Sequence, residues 1–139
     1  MKHQGTKRLE TERLILRRFV EADAESVFKN WASDPEVTKF LRWESHTRVD
    51  ESRELLAGCV KRYGEVDYYH WAIEEKCSDS GAVGYIGVFW SDETVDSVEV
   101  GYGLGRRWQG KGYMSEALRA VIDFMIDEAG ANRVVATHD

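Results

Sequence analysis

The sequence predicts a mixed α/β domain built on a central sheet, and three observations carry this prediction. Three consecutive segments in the middle of the chain are rich in aromatic and β-branched residues, which is typical of antiparallel strands. A glycine-rich loop then precedes a segment with helical periodicity, and a short apolar run follows that helix. Strand, loop, helix and strand in this order indicate a crossover connection within one sheet.

The first half of the chain predicts one strand followed by helices. Residues 13–18 form the strand, and residues 21–33 have helical spacing of their apolar side chains. Pro35 after Asp34 is typical of a helix start. A longer helix is predicted from Val49 to Tyr63. Its expected core face consists of Val49, Leu55, Leu56, Cys59, Val60 and Tyr63.

The second half predicts the sheet and the crossover. Tyr68–Glu75 and Ala82–Trp90 form a hairpin, and Ser97–Leu104 is the next strand. A helix follows from Gly112 to Ala129, and a last strand begins at Arg133. The expected core face of this helix consists of Met114, Ala117, Leu118, Val121, Ile122 and Met125.

Length and composition limit the classes of function. The 139 residues fit a single domain over 1–139, and 42% hydrophobic residues with one proline are typical of a globular chain. The N-terminus is polar and no stretch is long and apolar enough to span a bilayer, so we expect a cytoplasmic protein without a membrane partner. Nineteen basic against twenty-five acidic residues give a net charge of −6, which argues against nucleic acid as a partner. Any anion site must therefore be local.

The glycine-rich segment between strand and helix predicts such a local anion site. Its sequence, GYGLGRRWQGKG, turns backbone N–H groups toward the positive end of the helix that begins near Gly112. Two nucleotide-binding motifs fit poorly. A P-loop needs a hydroxyl where Gly112 stands, and the last glycine of a dinucleotide fingerprint falls on Trp108 or Arg106. Cys59 and Cys77 lack metal-ligand spacing, so no metal is expected.

The spacing that fits is R-x-x-G-x-G from Arg107 to Gly112, which resembles the acyl-CoA pyrophosphate loop of the GNAT N-acetyltransferase superfamily. The longer string VEVGYGLGRRWQGKGYMSEAL is similar to the RimJ/RimL-type branch, and the opening LETERLILRRFVEADAESVFKNWASDPEVTKFL also looks like that branch. The resemblance implies a GNAT-like sheet flanked by helices. It also implies an acetyl-CoA-dependent enzyme, with acetyl-CoA as cosubstrate and no metal, that acetylates a primary amine of a protein N-terminus or a small molecule.

The resemblance also implies roles for residues of this segment. Loop amides from about Gln109 to Met114 would hold the pyrophosphate, with Arg107 or Lys111 nearby. The edge of the strand that ends at Leu104 would pair with the pantetheine arm, and a backbone N–H near Leu104 would polarise the thioester; members of the family usually have a bulge in this strand. The expected cofactor-binding residues are Leu104, Arg107, Gln109, Gly110, Lys111, Gly112, Tyr113 and Met114.

Glu99 is the candidate general base, because an attacking amine must lose its proton. In an alternating strand Val98 and Val100 share one face, which leaves Glu99 on the other, toward the expected substrate groove. An ordinary solvent-facing glutamate remains the alternative interpretation. His70 is more readily explained as a packed or exposed histidine than as a base.

Acceptor recognition is poorly encoded, and the rest of the family pattern is absent. Aromatic residues could form acceptor-site walls or belong to the core; they are Trp31, Phe40, Trp43, Trp71 and Trp90. Relatives of the RimJ/RimL type continue past a segment like that ending at Asp139 with further C-terminal elements, so we expect a short domain. An uncovered last strand would favour a homodimer. The alternative function is a CoA-binding or dimerising module without turnover.

Overall fold

The computed structural model describes residues 2–39, 44–92 and 97–137, and its centre is a six-stranded sheet whose strands lie in chain order. The strands are β1 (Leu9–Glu10), β2 (Leu14–Arg17), β3 (His70–Glu75), β4 (Ala82–Asp92), β5 (Ser97–Leu104) and β6 (Arg133–Thr137). Neighbours from β1 to β5 pair antiparallel, whereas β5 and β6 pair in parallel. The predicted mixed sheet with its crossover is therefore confirmed.

Four α-helices flank the sheet: α1 (Ala24–Val27), α2 (Pro35–Thr38), α3 (Val49–Arg62) and α4 (Tyr113–Asp127). A 3₁₀ turn (Glu21–Asp23) leads into α1, a π-helical turn (Phe28–Ala32) continues it, and a second 3₁₀ turn (Arg106–Trp108) precedes α4. Asp34 caps α2 by accepting the N–H of Glu36 at 2.9 Å, as expected at a Pro-initiated helix start. Across the described residues, no helix is both long and apolar enough to cross a membrane.

The two faces of the sheet bury two apolar clusters, because neighbouring strand residues point to opposite sides. One face packs against α4 and includes Trp71, Ile73, Val98, Val100 and Val121. The other packs against the helices that precede β3 and includes Phe19, Val27, Trp31, Leu56 and Tyr85. Strand β5 thus presents Val98 and Val100 to α4 and Glu99 to the opposite side.

The predicted helix faces are confirmed in part. In α4, Ala117, Val121 and Met125 are buried, and Phe124 joins them although the sequence pattern did not include it. In α3 the buried stripe runs through Ser52, Leu56, Cys59 and the following Tyr63. The prediction was wrong for Leu55 and Val60 of α3. These two residues lie at the margins of the buried stripe and are 40% exposed.

Two features of the sheet differ from the sequence-based expectation. The two-residue strand β1 was not predicted, since only its pairing with β2 makes it a strand. The expected bulge in β5 is instead in β4, where the register passes from Val88↔Val100 to Trp90↔Glu99. Gly101 and Gly103 of β5 pair regularly with Gly87 and Tyr85, so β5 itself contains no irregularity against β4.

A half-buried ion-pair network fixes the start of α1 against the sheet. Arg17 in β2 donates to both carboxylate oxygens of Asp23 at 2.8 Å and to Glu74 of β3 at 3.0 Å. Asp23 is only 7% exposed and also accepts the N–H of Val20. These hydrogen bonds, first of all that to Asp23, raise the pKa of Arg17 above its usual range despite burial.

We expect Asp23→Ala to lower the free energy of unfolding by about 3 kcal/mol, because removal of one partner leaves the Arg17 guanidinium unpaired in a partly buried place. Urea denaturation at pH 7 measures this change. Glu65→Ala is the control, since Glu65 pairs with Arg62 on the surface and its loss should cost less than about 1 kcal/mol. Equal losses in the two variants would contradict a structural role for the network.

Candidate active site

Strand β5 pairs with β4 on one side and with β6 on the other. The antiparallel pairing with β4 extends to Leu104, and the described part of the parallel pairing with β6 runs from Ser97↔Arg133 to Gly101↔Thr137. The carboxyl end of β5 at Leu104 leads directly into the glycine-rich loop and α4.

The direction of the β5 peptide groups follows from one hydrogen bond. The N–H of Gly105 donates to the carbonyl of Val83 at 2.8 Å, so odd-numbered residues of this segment face β4. The N–H and C=O of Leu104 consequently point away from β4. The side chain of Gln109 donates to the Leu104 carbonyl at 2.8 Å, and the Leu104 N–H points to the same side of the strand.

The loop after β5 presents a continuous series of open backbone N–H groups. Gly110 and Gly112 have φ values of +78° and +80°, a left-handed conformation that favours glycine. In the described structure, the N–H groups of residues 110–115 donate no hydrogen bond, and they lead into the first turn of α4. The N–H of Gln109 differs, since it donates to the Arg106 carbonyl at 3.3 Å, so the open series begins at Gly110 instead of the predicted Gln109.

The carbonyl groups of this loop are held away from its N–H groups. Arg13 donates through Nη1 to the carbonyl of Lys111 at 2.8 Å, and the carbonyl of Gly112 accepts the N–H of Glu116 at 3.1 Å. Because C=O and N–H point in opposite directions across a trans peptide, these bonds turn the N–H groups of Gly112 and Tyr113 the other way. The result is a concave set of donors at the positive end of a helix, suited to an anion.

Two carboxylates fasten the loop to the sheet. Glu75 at the end of β3 accepts hydrogen bonds from Trp108 Nε1 at 2.9 Å and from the Tyr113 hydroxyl at 2.6 Å. Glu116 in the first turn of α4 accepts from Arg13 Nε at 2.8 Å and from the Arg13 backbone N–H at 2.9 Å. The segment between β1 and β2, the end of β3 and the N-terminus of α4 thus meet around the loop.

The charge around the loop is locally positive in an acidic chain. The guanidinium of Arg13 lies 4.7 Å and the ammonium of Lys111 5.9 Å from the centre of the Tyr113 ring. Arg107 lies 5.1 Å from the ring of Trp108 and is exposed, whereas Arg106 is paired with Asp34 at 2.6 Å. A surface cleft of about 400 Å³ next to this turn is lined by Lys29, Asn30, Asp34, Arg106 and Arg107.

Glu99 lies on the face of β5 opposite Val98 and Val100, as its strand alternation predicts. It is half-buried, and among the described residues no hydrogen bond or ion pair engages its carboxylate. Gly101 and Gly103 follow it on the same face, so no side chain of β5 covers the surface between Glu99 and the end of the strand. The carboxylate is therefore available to a bound molecule.

The other candidates from the sequence have structural roles. His70 packs among Phe19, Tyr68 and Tyr85, and burial lowers its pKa to about 4, with the positive charge of Arg62 acting in the same direction. Trp31 and Trp71 are 2% and 0% exposed and belong to the core. Two further predicted wall residues, Phe40 and Trp43, lie outside the described residues, and of Trp90 only the backbone pairing with Glu99 is described.

The sequence did not reveal the contributions of Arg13 and Glu75. In the sequence, Arg13 marks only the start of a predicted strand and Glu75 only the end of another. The residues that they hold are 98 and 38 positions away along the chain, respectively, so no local spacing connects them. The available hint was chemical, because a buried Trp next to a loop needs an acceptor for its indole N–H.

A family model described as the acetyltransferase (GNAT) domain matches residues 13–139 of this sequence. The chain belongs to the GNAT acetyltransferase family. The predicted family and enzyme class are thereby confirmed. Groups of three or more His, Cys, Asp or Glu side chains suited to a metal do not occur among the described residues.

Relatives agree with this assignment. The N-acetyltransferase p20 of Bacillus licheniformis is 34% identical over 130 residues, which cover 92% of this chain and 71% of that protein. The ribosomal protein uS5 alanine N-acetyltransferase of Escherichia coli is 29% identical over 147 residues, covering 94% of this chain and 69% of the relative. The second relative agrees with the RimJ/RimL-type branch.

Solved structures share the fold. A GNAT-family acetyltransferase from Bacillus anthracis superposes with a TM-score of 0.76 at 24% identity, over 94% of this chain and 72% of that one. The microcin C7 self-immunity acetyltransferase MccE, solved with acetyl-CoA and AMP, has a TM-score of 0.72 at 17% identity, over 86% and 66% of the two chains. At these identities the likeness concerns the fold alone.

The carboxylate of Glu116 makes the stability of the domain depend on pH. Burial raises its pKa, but the hydrogen bonds from Thr11 and Arg13 and the Arg13 charge together outweigh burial and lower it below its usual value of 4.5. A carboxyl group whose pKa is lowered by folding stabilises the folded state above the unfolded-state pKa, and this contribution disappears as the pH falls through the folded-state pKa.

We therefore expect Glu116→Gln to lower the free energy of unfolding more at pH 7 than at pH 3, because the wild-type carboxylate progressively loses its ionised form as the pH falls toward its folded-state pKa. Urea denaturation of both proteins at the two pH values measures the difference. Glu12→Gln, a change at an exposed neighbour, controls for the general effect of charge removal. A Glu116→Gln effect that is the same at both pH values would show that the ionised form is not what holds the loop.

Proposed function

We propose that this GNAT domain transfers the acetyl group of acetyl-CoA to a primary amine by direct attack in a ternary complex. One observation carries the proposal: six consecutive N–H groups, residues 110–115, donate no hydrogen bond in the described structure and lie between the end of β5 and the first turn of α4. Such a set of donors matches the pyrophosphate of CoA.

The pyrophosphate would bind at the loop. The N–H groups of Gly110, Lys111, Gly112, Tyr113 and Met114 are open donors at the N-terminus of α4, and such donors favour phosphate. The Lys111 ammonium and the exposed Arg107 guanidinium would supply charge, and Gln109 would contribute by holding the Leu104 carbonyl. A metal is not required, since loop amides and cations can balance the anion.

The pantetheine arm would lie beside the carboxyl end of β5. Its amides would form hydrogen bonds with the backbone there as an added strand does. The N–H of Leu104 points to the same side and would donate to the thioester carbonyl. This donation would stabilise the negative charge that develops on the carbonyl oxygen during attack.

Glu99 would act as the general base, directly or through water. The protonated amine first gives a proton to the Glu99 carboxylate, and its neutral nitrogen then forms a bond to the acetyl carbon. The carbon–sulfur bond breaks, and CoA leaves as a thiolate that takes up the second proton released by the nitrogen. Support comes from the position of Glu99 on the face of β5 opposite Val98 and Val100 and from its carboxylate having no partner within the described structure.

The acceptor is an amine of a protein N-terminus or a small molecule. The name of the Escherichia coli relative specifies a ribosomal-protein alanine, and that substrate class is the first to be tested here. The panel should contain peptides with N-terminal Ala and Ser, polyamines and free amino acids. Release of free thiol from acetyl-CoA measures turnover with each of them.

Calorimetric titration with acetyl-CoA, CoA and ATP tests the cosubstrate. We expect binding of acetyl-CoA and CoA and much weaker binding of ATP. Tight binding of ATP with no response to CoA would overturn the proposal. Binding of CoA without thiol release in the presence of any amine of the panel would favour a binding module instead of an enzyme.

We expect Gly112→Ala to raise the Kd for acetyl-CoA about tenfold. A residue with a Cβ at φ +80° is strained by about 1–2 kcal/mol, and relief of this strain would rotate the N–H groups on either side out of line. Titration calorimetry measures the Kd. Gly58→Ala is the matched control, because Gly58 lies within α3 with open space around it and its replacement should leave the Kd unchanged.

We expect Glu99→Gln to lower the rate about a hundredfold at pH 7 and by much less at pH 10, because at high pH the amine loses its proton to solvent without a base. The ratio of kcat/KM for the two proteins across this pH range measures the effect. The Kd for acetyl-CoA should be unchanged, since the carboxylate is not part of the anion cradle. A rate loss that is the same at every pH would count against Glu99 as the base.

A further inference from the structure

We infer that Glu75 is a positioning residue that holds the anion loop in its binding conformation, so that it determines the affinity for the pyrophosphate-bearing cosubstrate without taking part in acetyl transfer. This inference rests on the proposed function of the loop. It concerns Glu75 at the end of β3, which contacts both ends of the loop that carries the open N–H groups.

Glu75 binds two residues that flank the loop. Trp108 is the last residue of the 3₁₀ turn before the loop, and Tyr113 is the first residue of α4 after it. Each donates to a different oxygen of the Glu75 carboxylate, at 2.9 Å and 2.6 Å respectively. One side chain thus fixes the distance between the two ends of the loop.

The segment between Trp108 and Tyr113 has considerable conformational freedom. The intervening segment, Gln109 to Gly112, contains both left-handed glycines and is exposed. A Cβ added at Gly110 would meet no atom within 4 Å, so packing does not restrain that position. A glycine-rich loop loses much conformational entropy when it is ordered, and a restraint on its two ends reduces the part of this loss that ligand binding must supply.

Tyr113 contacts both Glu75 and the positively charged side chains beside the loop. Its hydroxyl is held by Glu75, while its face carries the guanidinium of Arg13 at 4.7 Å and the ammonium of Lys111 at 5.9 Å. The hydrogen bond from Tyr113 lowers the pKa of Glu75 below 4.5 in spite of burial, and hydrogen bonds from Trp108 and Ser78 act in the same direction. The carboxylate is therefore ionised at neutral pH and accepts both bonds.

The charge of Glu75 and its two hydrogen bonds have opposite effects on the affinity for the ligand, so the two effects can be told apart. A negative charge near a phosphate site repels the ligand, so removal of the Glu75 charge alone would tighten binding. Loss of the hydrogen bonds that hold the two ends of the loop would instead weaken binding. In Glu75→Gln the amide can accept from Trp108 through Oε1 and donate through Nε2 to the Tyr113 hydroxyl oxygen, so this variant removes the charge and keeps both contacts. Glu75→Met has a side chain of similar length and removes both hydrogen bonds.

We expect Glu75→Met to raise the KM for acetyl-CoA and the Kd for CoA about tenfold with kcat unchanged, because the pyrophosphate is remote from the reacting carbon and contributes equally to ground state and transition state. Steady-state kinetics and titration calorimetry measure these quantities. Glu75→Gln is the matched control, and its KM should be the same as in wild type or slightly lower.

S-acetylpantetheine, which lacks the pyrophosphate, provides the decisive comparison. We expect kcat/KM for this substrate to be the same in wild type and Glu75→Met. An equal loss with both thioesters would mean a general structural defect, and tighter CoA binding by Glu75→Met would mean a purely electrostatic role; either result overturns the inference. Tyr113→Phe should also weaken CoA binding, and combining it with Glu75→Met should weaken binding no further than Glu75→Met alone.

The proposed function and this inference fail in different ways. If wild type neither binds CoA nor releases thiol from acetyl-CoA, the proposed function is wrong. If wild type binds CoA and Glu75→Met binds it equally well, the proposed function stands and the positioning role of Glu75 is wrong.

Discussion

The site depends on one constraint, which is that the carbonyl groups of the loop between β5 and α4 must be bound elsewhere so that its N–H groups stay open. Arg13 binds the Lys111 carbonyl and the first turn of α4 binds the Gly112 carbonyl. Glu116 fixes Arg13 in turn. An acidic chain with a net charge of −6 thus contains a local anion site made mostly of backbone groups, which attract phosphate without a large basic surface.

The sheet supplies the second requirement, a fixed strand end beside the loop. Strand β5 pairs with β4 as far as Leu104, and the described part of β6 pairs with it in parallel as far as Gly101. The crossover helix α4 begins directly after the loop that follows β5. The position of the anion cradle is therefore a consequence of this strand, loop and helix connection.

The irregularity in the pairing of β4 with β5 is on a different strand from the one expected. An extra residue in β4 between Val88 and Trp90 leaves β5 regular, so Glu99 keeps the alternation that places it away from Val98 and Val100. A bulge within β5 at Gly101 or Gly103 would have changed the direction of the peptide groups beyond it. The regular register instead turns the N–H of Leu104 away from β4.

The sequence by itself determined the elements whose cause is local. The periodicity of α3 and α4, the Asp34 cap before Pro35, the strand Ser97–Leu104 and the glycine loop all depend on residues within a few positions of one another. Short pieces were missed for the opposite reason: β1 exists only because it pairs with β2, and Leu55 and Val60 are exposed because α3 packs along one narrow stripe. Only the tertiary structure decided that Glu75 joins Trp108 to Tyr113 and that Arg13 holds the Lys111 carbonyl. Residues far apart in sequence meet there because the strand order brings the start of β2 and the ends of β3 and β5 to the same end of the sheet, and no spacing along the chain records that order.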